Sequence, residues 1–366
     1  MIIMGKMVLN DSMKKHMFAR IGNTSRLRKV FEKALRGEPI CFVALGGSIT
    51  QRFNASSEES CYAFLTFKWL ERRFPKSDVK YVNAGIGATG SLIALHRLQH
   101  DVLAYNPDIV IVEFSVNESD GAFTEESYDN LMFNLLRSPT HPAVIPLGMV
   151  DSRGKSAQKT HLKVAEYYNL PFLSYRDAVW GEIEAGRLKW QDTSDDIIHP
   201  TDDGHAVAAE IIAEYFKKVL NDKTQKEYVM PDKNLTNVSY CNAQILYAGE
   251  VNPNDMGCFK LKKVNLNKMH FGWYADENAA PLVFEFENCS RIFVLFEKTN
   301  SGTGGRATVT VGGKETALDA DFKDGWGVYS NTAYVFNNDE PQKVVLKIQP
   351  QLETGKHFTV IGIMLS

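Results

Sequence analysis

The feature that most constrains this chain is an alternation that runs up to residue 222 and then stops. Short apolar runs alternate with longer amphipathic segments. Ile40–Leu45 is a β-rich run ending in Gly46-Gly47, and Val79–Asn83 is followed by Gly85 and Gly87. Ile109–Phe114, Ala143–Val150 and the short Leu170–Ser174 continue the series. Runs this continuous suit strands buried on both faces, as in a parallel sheet. Between them, residues 60–74 place Phe64, Phe67, Leu70 and Phe74 on one helical side, and residues 91–104 do the same with Leu92, Leu95, Leu98 and Leu103. Residues 25–36, 125–137, 156–169 and 203–220 read as further helices. Such alternation predicts an α/β fold, a three-layer α/β/α sandwich around a parallel sheet, with its active site at the carboxyl ends of the strands.

Beyond residue 222 the texture changes. Residues 223–240 are polar, carry Pro231 and read as a linker. Residues 241–366 hold short β-rich runs at 282–286, 291–296, 307–311, 332–336, 343–348 and 358–364. Turn residues such as Gly312-Gly313 and Asn337-Asn338-Asp339 separate them, and no convincing helix is present. The expectation is an α/β domain over 1–222, with a lead-in at 1–24, followed by an all-β sandwich of jelly-roll type over 241–366.

Composition narrows the function classes. With 41 Lys+Arg against 44 Asp+Glu and a net charge of -3, the molecule has no strong field for phosphate backbones or anionic membranes, so neither nucleic acid nor membrane is expected as a partner. No stretch reaches the ~20 apolar residues of a membrane span. The opening Met1–Asn10 lacks a basic end and the apolar run of a signal peptide, so the expected compartment is the cytoplasm. The cysteines at 41, 61, 241, 258 and 289 are scattered and form no Cys-x-x-Cys pair, which argues against a zinc site or a disulfide framework.

Four short blocks follow or face strand ends. Gly46-Gly47-Ser48-Ile49-Thr50 puts a serine on a tight turn, where its hydroxyl is exposed but needs a base to act as a nucleophile. Asn83-Ala-Gly-Ile-Gly-Ala-Thr-Gly90 brings backbone N–H groups close to a ligand, as an oxyanion requires. Phe114-Ser-Val-Asn117-Glu118 offers a neutral amide as a further donor. Asp196-Ile-Ile-His199 places a carboxylate three residues before an imidazole, next to a proline turn, where the two can share a hydrogen bond. Singly, each block also has a bland reading: a turn, a loop, a cap or a helix-start pair. Their order along one sheet carries the argument.

Weaker candidates remain. His96 and His100 have the spacing of a metal pair but no acidic context, and a half-exposed helical face explains them better. His205 is a fallback base that otherwise packs at the start of a helix. His141 and His161 have no partner in the pattern. Glu113 and Asp151 follow strands and fit structural roles equally well. Gly302-Thr-Gly-Gly-Arg306 reads as a hairpin turn because no helix follows it. In the second domain Trp273, Tyr274, Trp326 and Tyr329 stand near turn residues; their rings could stack on sugars as a substrate-binding surface or fill the core.

The four blocks, over roughly residues 25–222, resemble the SGNH hydrolase superfamily, also called GDSL-type esterases, a flavodoxin-like fold. The resemblance implies Ser48 as nucleophile, Asp196 and His199 as its relay, and an oxyanion hole from the Ser48 N–H, the Asn117 side chain and a backbone N–H at Gly87 or Ala88. It implies ester hydrolysis through an acyl-enzyme, with no metal and no cofactor. The sequence departs from the family pattern in three places. Gly-Gly-Ser-Ile stands for Gly-Asp-Ser-Leu, Ser115-Val-Asn117-Glu118 stands for Gly-x-Asn-Asp, and Ala88 falls where the oxyanion glycine is usual; an alanine keeps its N–H in place if its φ is negative.

An SGNH domain with a β-sandwich after it resembles intracellular carbohydrate acetyl esterases. The expected substrate is an O-acetylated oligosaccharide derived from hemicellulose, such as a manno- or xylo-oligosaccharide. The architecture is compatible with a homo-oligomer. Two alternatives stand beside this: a short-chain lipase or lysophospholipase, and a non-catalytic carbohydrate-binding protein with a degenerate hydrolase domain.

Overall fold

The computed structural model describes residues 7–366 apart from 225, 239, 241, 324 and 326. It divides into two units, residues 1–239 and residues 240–366.

In chain order the first unit contains α1 (Asp11–His16), β1 (Phe18–Arg20), α2 (Ser25–Leu35), β2 (Ile40–Gly46), α3 (Ser48–Gln51), α4 (Tyr62–Arg73), β3 (Val79–Gly85), α5 (Ser91–His96), α6 (Leu98–Asp101) and β4 (Ile109–Glu113). It continues with α7 (Ala122–Arg137), β5 (Ala143–Gly148), α8 (Gln158–Tyr167), β6 (Phe172–Ser174), α9 (Gly181–Glu184) and α10 (Asp202–Leu220). The sheet order is β1-β6-β5-β4-β2-β3. The pairs from β6 to β3 are parallel. Every residue of β2, β4 and β5 is buried, which is why their sequences are apolar without alternation. After β2 the chain crosses to β3 on one side and then to β4 on the other. A crevice therefore opens at the carboxyl ends of β2 and β4.

Within the lead-in at 1–24, residues 7–24 supply α1 and β1, and β1 pairs antiparallel with β6 at the sheet edge. One expectation needs correction here. Residues 91–104 are not one helix. The chain turns at Arg97, whose guanidinium is fully buried and bonds Asp101 Oδ2 at 2.8 Å and Gly46 O at 3.4 Å. A buried guanidinium must find such partners, and a straight amphipathic helix has no reason to bury one.

The polar segment after α10 lies along the first unit. The Asp129 carboxylate accepts the N–H groups of Leu235 and Thr236 and the Tyr168 hydroxyl. Asn130 Nδ2 donates to Val238 O at 2.8 Å, and Arg26 sits 4.3 Å over the Tyr228 ring.

The second unit contains β7 (Gln244–Tyr247), β8 (Lys260–Leu266), β9 (Met269–Ala275), β10 (Leu282–Thr299), β11 (Arg306–Val311), β12 (Lys314–Asp319), β13 (Val328–Gln351) and β14 (Phe358–Leu365). All pairs are antiparallel, in the order β12-β11-β13-β10-β14-β9-β8, with β7 also on β14. The runs 282–286 and 291–296 are two halves of β10, and 332–336 and 343–348 are two halves of β13. Irregular pairing between Phe286 and Arg291 bends the pair where the sequence suggested a break at Asn337–Asp339. One half of this bent pair continues into β11 and the other into β14, and both halves share one core. Gly312 and Gly313, both at positive φ, close the two-residue β11–β12 hairpin as expected. Gly302–Arg306 does not close a hairpin: it joins β10 to β11, which flank β13.

Trp273 is not a sugar platform. It is 1% exposed, packed edge-on against Phe284 with ring centroids 5.1 Å apart, inside the β core. Trp273→Ala is expected to cost roughly 3–5 kcal/mol, because it leaves a large cavity. A thermal-melt measurement checks this; an unchanged transition would mean the ring carries no packing. Trp326 and Cys241 lie outside the described residues. Cys41, Cys61, Cys258 and Cys289 are buried free thiols, and burial pushes Cys41 and Cys289 up to about 11. Among the described residues no helix is long and apolar enough to cross a membrane.

Candidate active site

Ser48 opens the four-residue α3 directly after β2 and, against the exposure expected of a serine on a tight turn, is buried among the strand ends at 7% exposure. Glycine is required around this turn by close approach. A Cβ on Gly85 would lie 2.2 Å from the Gln51 backbone nitrogen, and one on Gly47 would lie 2.4 Å from Asn117 Oδ1. Asn83 ties the second block to the same turn. Its Nδ2 donates to Thr50 O at 2.8 Å and its Oδ1 accepts the Gly85 N–H at 2.9 Å.

The loop before α10 carries the other two groups. Asp196 Oδ1 accepts the N–H groups of Ile198 and His199, each at 2.6 Å. This short-range bonding bends the chain so that His199 folds back over its own aspartate. His199 Nδ1 then lies 2.6 Å from Asp196 Oδ2, and His199 Nε2 lies 2.9 Å from Ser48 Oγ. The three side chains thus form a continuous line across 151 residues of sequence. Burial alone would push the Asp196 carboxyl up. The bonds from the His199 and Ile198 N–H groups and from the imidazole outweigh it and hold the carboxyl below the usual range. Such a carboxylate fixes the imidazole with Nδ1 protonated and Nε2 free to take a proton from Ser48.

Several supports were not legible in the sequence. Asn54, at φ 65°, donates from Nδ2 to His199 O at 2.9 Å and to Asp195 Oδ1 at 2.6 Å. Ser194 Oγ donates to His199 O at 2.6 Å. Phe53 lays its ring 4.4 Å from the His199 ring while staying 53% exposed, and Ile197 is 59% exposed. Local spacing gives no signal for these contacts, apart from the tolerance of asparagine for positive φ.

The oxyanion candidates divide. Asn117 follows β4 and faces Gly47, beside the serine turn. The Gly87 N–H donates to Gln51 Oε1 at 2.6 Å, so it is already engaged. Ala88 has φ 57°, so the negative φ that would make an alanine harmless here is not met. An alanine in this region carries a strain of roughly 1–2 kcal/mol. Ala88→Gly is therefore expected to raise the unfolding temperature by a few degrees, as about 1 kcal/mol does in a domain of this size. A lower melting temperature would show that the alanine is not strained.

The weaker candidates take structural places. His205 is fully buried: its Nδ1 accepts the Tyr62 N–H and its Nε2 donates to Phe53 O, both at 3.3 Å. Burial pushes it down to about 4, so it stays neutral. His96 is buried with Nδ1 on Leu92 O at 2.8 Å, whereas the His100 side chain is 63% exposed. Among the described residues no group of three or more His, Cys, Asp or Glu side chains is placed to hold a metal ion. Asp151 accepts the N–H groups of Arg153 and Lys155 and closes its own turn. Glu113 is fully buried beneath the serine turn within reach of Thr50 Oγ1, and burial pushes it up to about 8.

Comparison with known proteins agrees with this site. Residues 44–207 match the GDSL-like lipase/acylhydrolase family. The chain is also similar to a solved two-domain esterase (CEX) active on acetylated mannans, at 30% identity and a TM-score of 0.90, over 97% of this chain and 98% of that one. The structure of that esterase co-crystallised with mannopentaose gives 29% identity and a TM-score of 0.88 with the same coverage. None of the curated proteins matches the chain significantly. With a serine, an asparagine and an Asp-His pair gathered at the strand ends of its α/β unit, and with an esterase similar to it along nearly its whole length, the chain is a carboxylic-ester hydrolase belonging to the GDSL-like lipase/acylhydrolase family.

Proposed function

We propose that the protein is a serine esterase that removes O-acetyl groups from hemicellulose-derived oligosaccharides, such as acetylated manno- or xylo-oligosaccharides. The observation that carries the chemistry is the line Ser48 Oγ, His199 Nε2, His199 Nδ1, Asp196 Oδ2, with separations of 2.9 and 2.6 Å. The sugar ester is supported by the full-length likeness to the esterase active on acetylated mannans.

In this reading His199 takes the Ser48 proton as Oγ attacks the acetyl carbonyl carbon. The oxyanion is met by the Ser48 N–H and the Asn117 side-chain amide. Gly87 joins them only when Gln51 releases its N–H. His199 then gives its proton to the departing sugar oxygen, leaving an acetyl-enzyme. Water, deprotonated by the same imidazole, attacks that ester, and acetate leaves as Ser48 regains its proton. Asp196 keeps its charge throughout and stabilises the imidazolium.

The exposed Phe53 and Ile197 beside His199 give the short-chain lipase reading its one specific support. Acyl-chain preference separates the two. Turnover of p-nitrophenyl acetate well above longer acyl esters, together with acetate release from acetylated oligosaccharides, is the expected result. Preference for acyl chains longer than acetyl would favour the lipase. Binding of oligosaccharides without turnover would favour a degenerate hydrolase.

A further inference from the structure

We propose that Glu118 is a positioning residue that sets the geometry of the Asn117 donor, an inference that rests on the reading of Asn117 as part of the oxyanion hole. Asn117 itself is exposed, at the end of a short turn held by one backbone bond, Asn117 N–H to Phe114 O at 3.0 Å. A donor that must meet a developing charge cannot be left on a loose turn, since a misplacement of about 1 Å costs on the order of 100-fold in rate. The two places where this turn departs from Gly-x-Asn-Asp are the two side chains that fasten it.

Ser115 fastens one side. Its Oγ accepts the Met149 N–H at 2.6 Å and lies 3.0 Å from Met149 O, joining the end of β4 to the end of β5. Glu118 fastens the other side, more extensively. Its Oε1 accepts both the N–H and the hydroxyl of Ser91, at 2.7 and 2.6 Å, and its Oε2 lies 2.7 Å from His161 Nε2. The Ser91 hydroxyl also lies 2.7 Å from Ser127 Oγ. His161 is stacked on Tyr128 with centroids 3.7 Å apart and planes 6° from parallel. The two ends of the Glu118–His161 pair are 9% and 1% exposed. One carboxylate is therefore braced by α5, α7 and α8 together.

The same carboxylate reaches the second block. A Cβ on Gly90 would lie 2.7 Å from Glu118 Oε1, so the acid is packed against the loop that contains Gly87 and Ala88. Glu118 thus links the turn bearing Asn117 to the loop bearing the other candidate backbone donors. A shorter aspartate has one methylene less with which to span Ser91 and His161. This is a physical reason for glutamate after the asparagine.

The test is a double-mutant cycle on p-nitrophenyl acetate with the full chain. Asn117→Ala alone is expected to lower kcat 100-fold or more, as loss of one oxyanion donor does. Glu118→Ala in the otherwise native chain is expected to lower kcat roughly 10- to 100-fold with KM changed less than about threefold. Glu118→Gln, which keeps the length and one acceptor oxygen, is expected to recover most of that loss. In the Asn117→Ala background Glu118→Ala is expected to cost less than about threefold, because the donor it positions is gone. Equal losses in the two backgrounds, or no loss in the native one, would overturn the inference while leaving the oxyanion reading intact. An Asn117→Ala protein with native kcat would overturn that reading and this inference with it. If Glu118→Ala does not fold, Ser91→Ala and His161→Gln, each read in both backgrounds, apply the same criterion.

Discussion

Ser48→Ala is expected to lower kcat/KM for p-nitrophenyl acetate by roughly 10⁴-fold or more, the scale on which a serine hydrolase loses its nucleophile. The change removes one oxygen whose bond in the structure is to His199 Nε2 at 2.9 Å. It leaves Gly47, Asn117 and the backbone of the turn in place. Binding and the oxyanion donors therefore persist, and a residual rate above the uncatalysed one should remain. Ser48 is only 7% exposed, and alanine fits the same space, so the melting temperature should stay within a degree or two of native. Loss of activity with the fold intact separates a chemical role from a structural one.

Asp196→Asn is expected to cost roughly 10³- to 10⁴-fold in kcat, for a different reason. An asparagine can keep the oxygen that accepts the N–H groups of Ile198 and His199, so the loop should hold its shape. What changes is the edge facing His199 Nδ1 at 2.6 Å, which becomes an N–H donor. The imidazole must then accept at Nδ1 and carry its proton on Nε2, where it has no capacity to take one from Ser48. The pH dependence follows the same logic. The folded-state pKa of Asp196 is depressed, so its contribution to stability is present above the unfolded value. It is lost only as pH falls through the folded value, below the ordinary carboxylate range. The native enzyme should therefore keep this carboxylate through mildly acid conditions, while the Asn variant is impaired at every pH. A kcat/KM profile for both proteins reads this directly. Native-like activity of the variant near neutrality would contradict the assignment.

How legible the site was depends on the range of the interactions. The Asp196-x-x-His199 pair could be read because its geometry is made by bonds within four residues. The serine and asparagine could be read because they stand immediately after apolar runs that had to be buried strands. Asn54, Ser194 and Glu118 could not: their partners lie on other elements or in loop conformations that periodicity does not encode. Ala88 is open in the sequence because residue identity does not give the sign of φ, which is positive here at 57°. In the second unit the sequence leaves the aromatic residues near turns open between two roles. Trp273 near a turn is compatible with a ligand face or a core, and only its 1% exposure tells them apart. The long strands β10 and β13 look like separate pieces in the sequence because irregular pairing interrupts the apolar pattern without ending the strand.

The most direct test of the account is mass spectrometry of acetylated manno- and xylo-oligosaccharides incubated with native protein and with Ser48→Ala. The native protein is expected to remove acetyl groups and release acetate, and the variant to leave the same oligosaccharides unchanged over the same time. Deacetylation that survives Ser48→Ala would contradict the mechanism. Acetylated oligosaccharides left intact by a native protein that cleaves long-chain acyl esters would contradict the substrate.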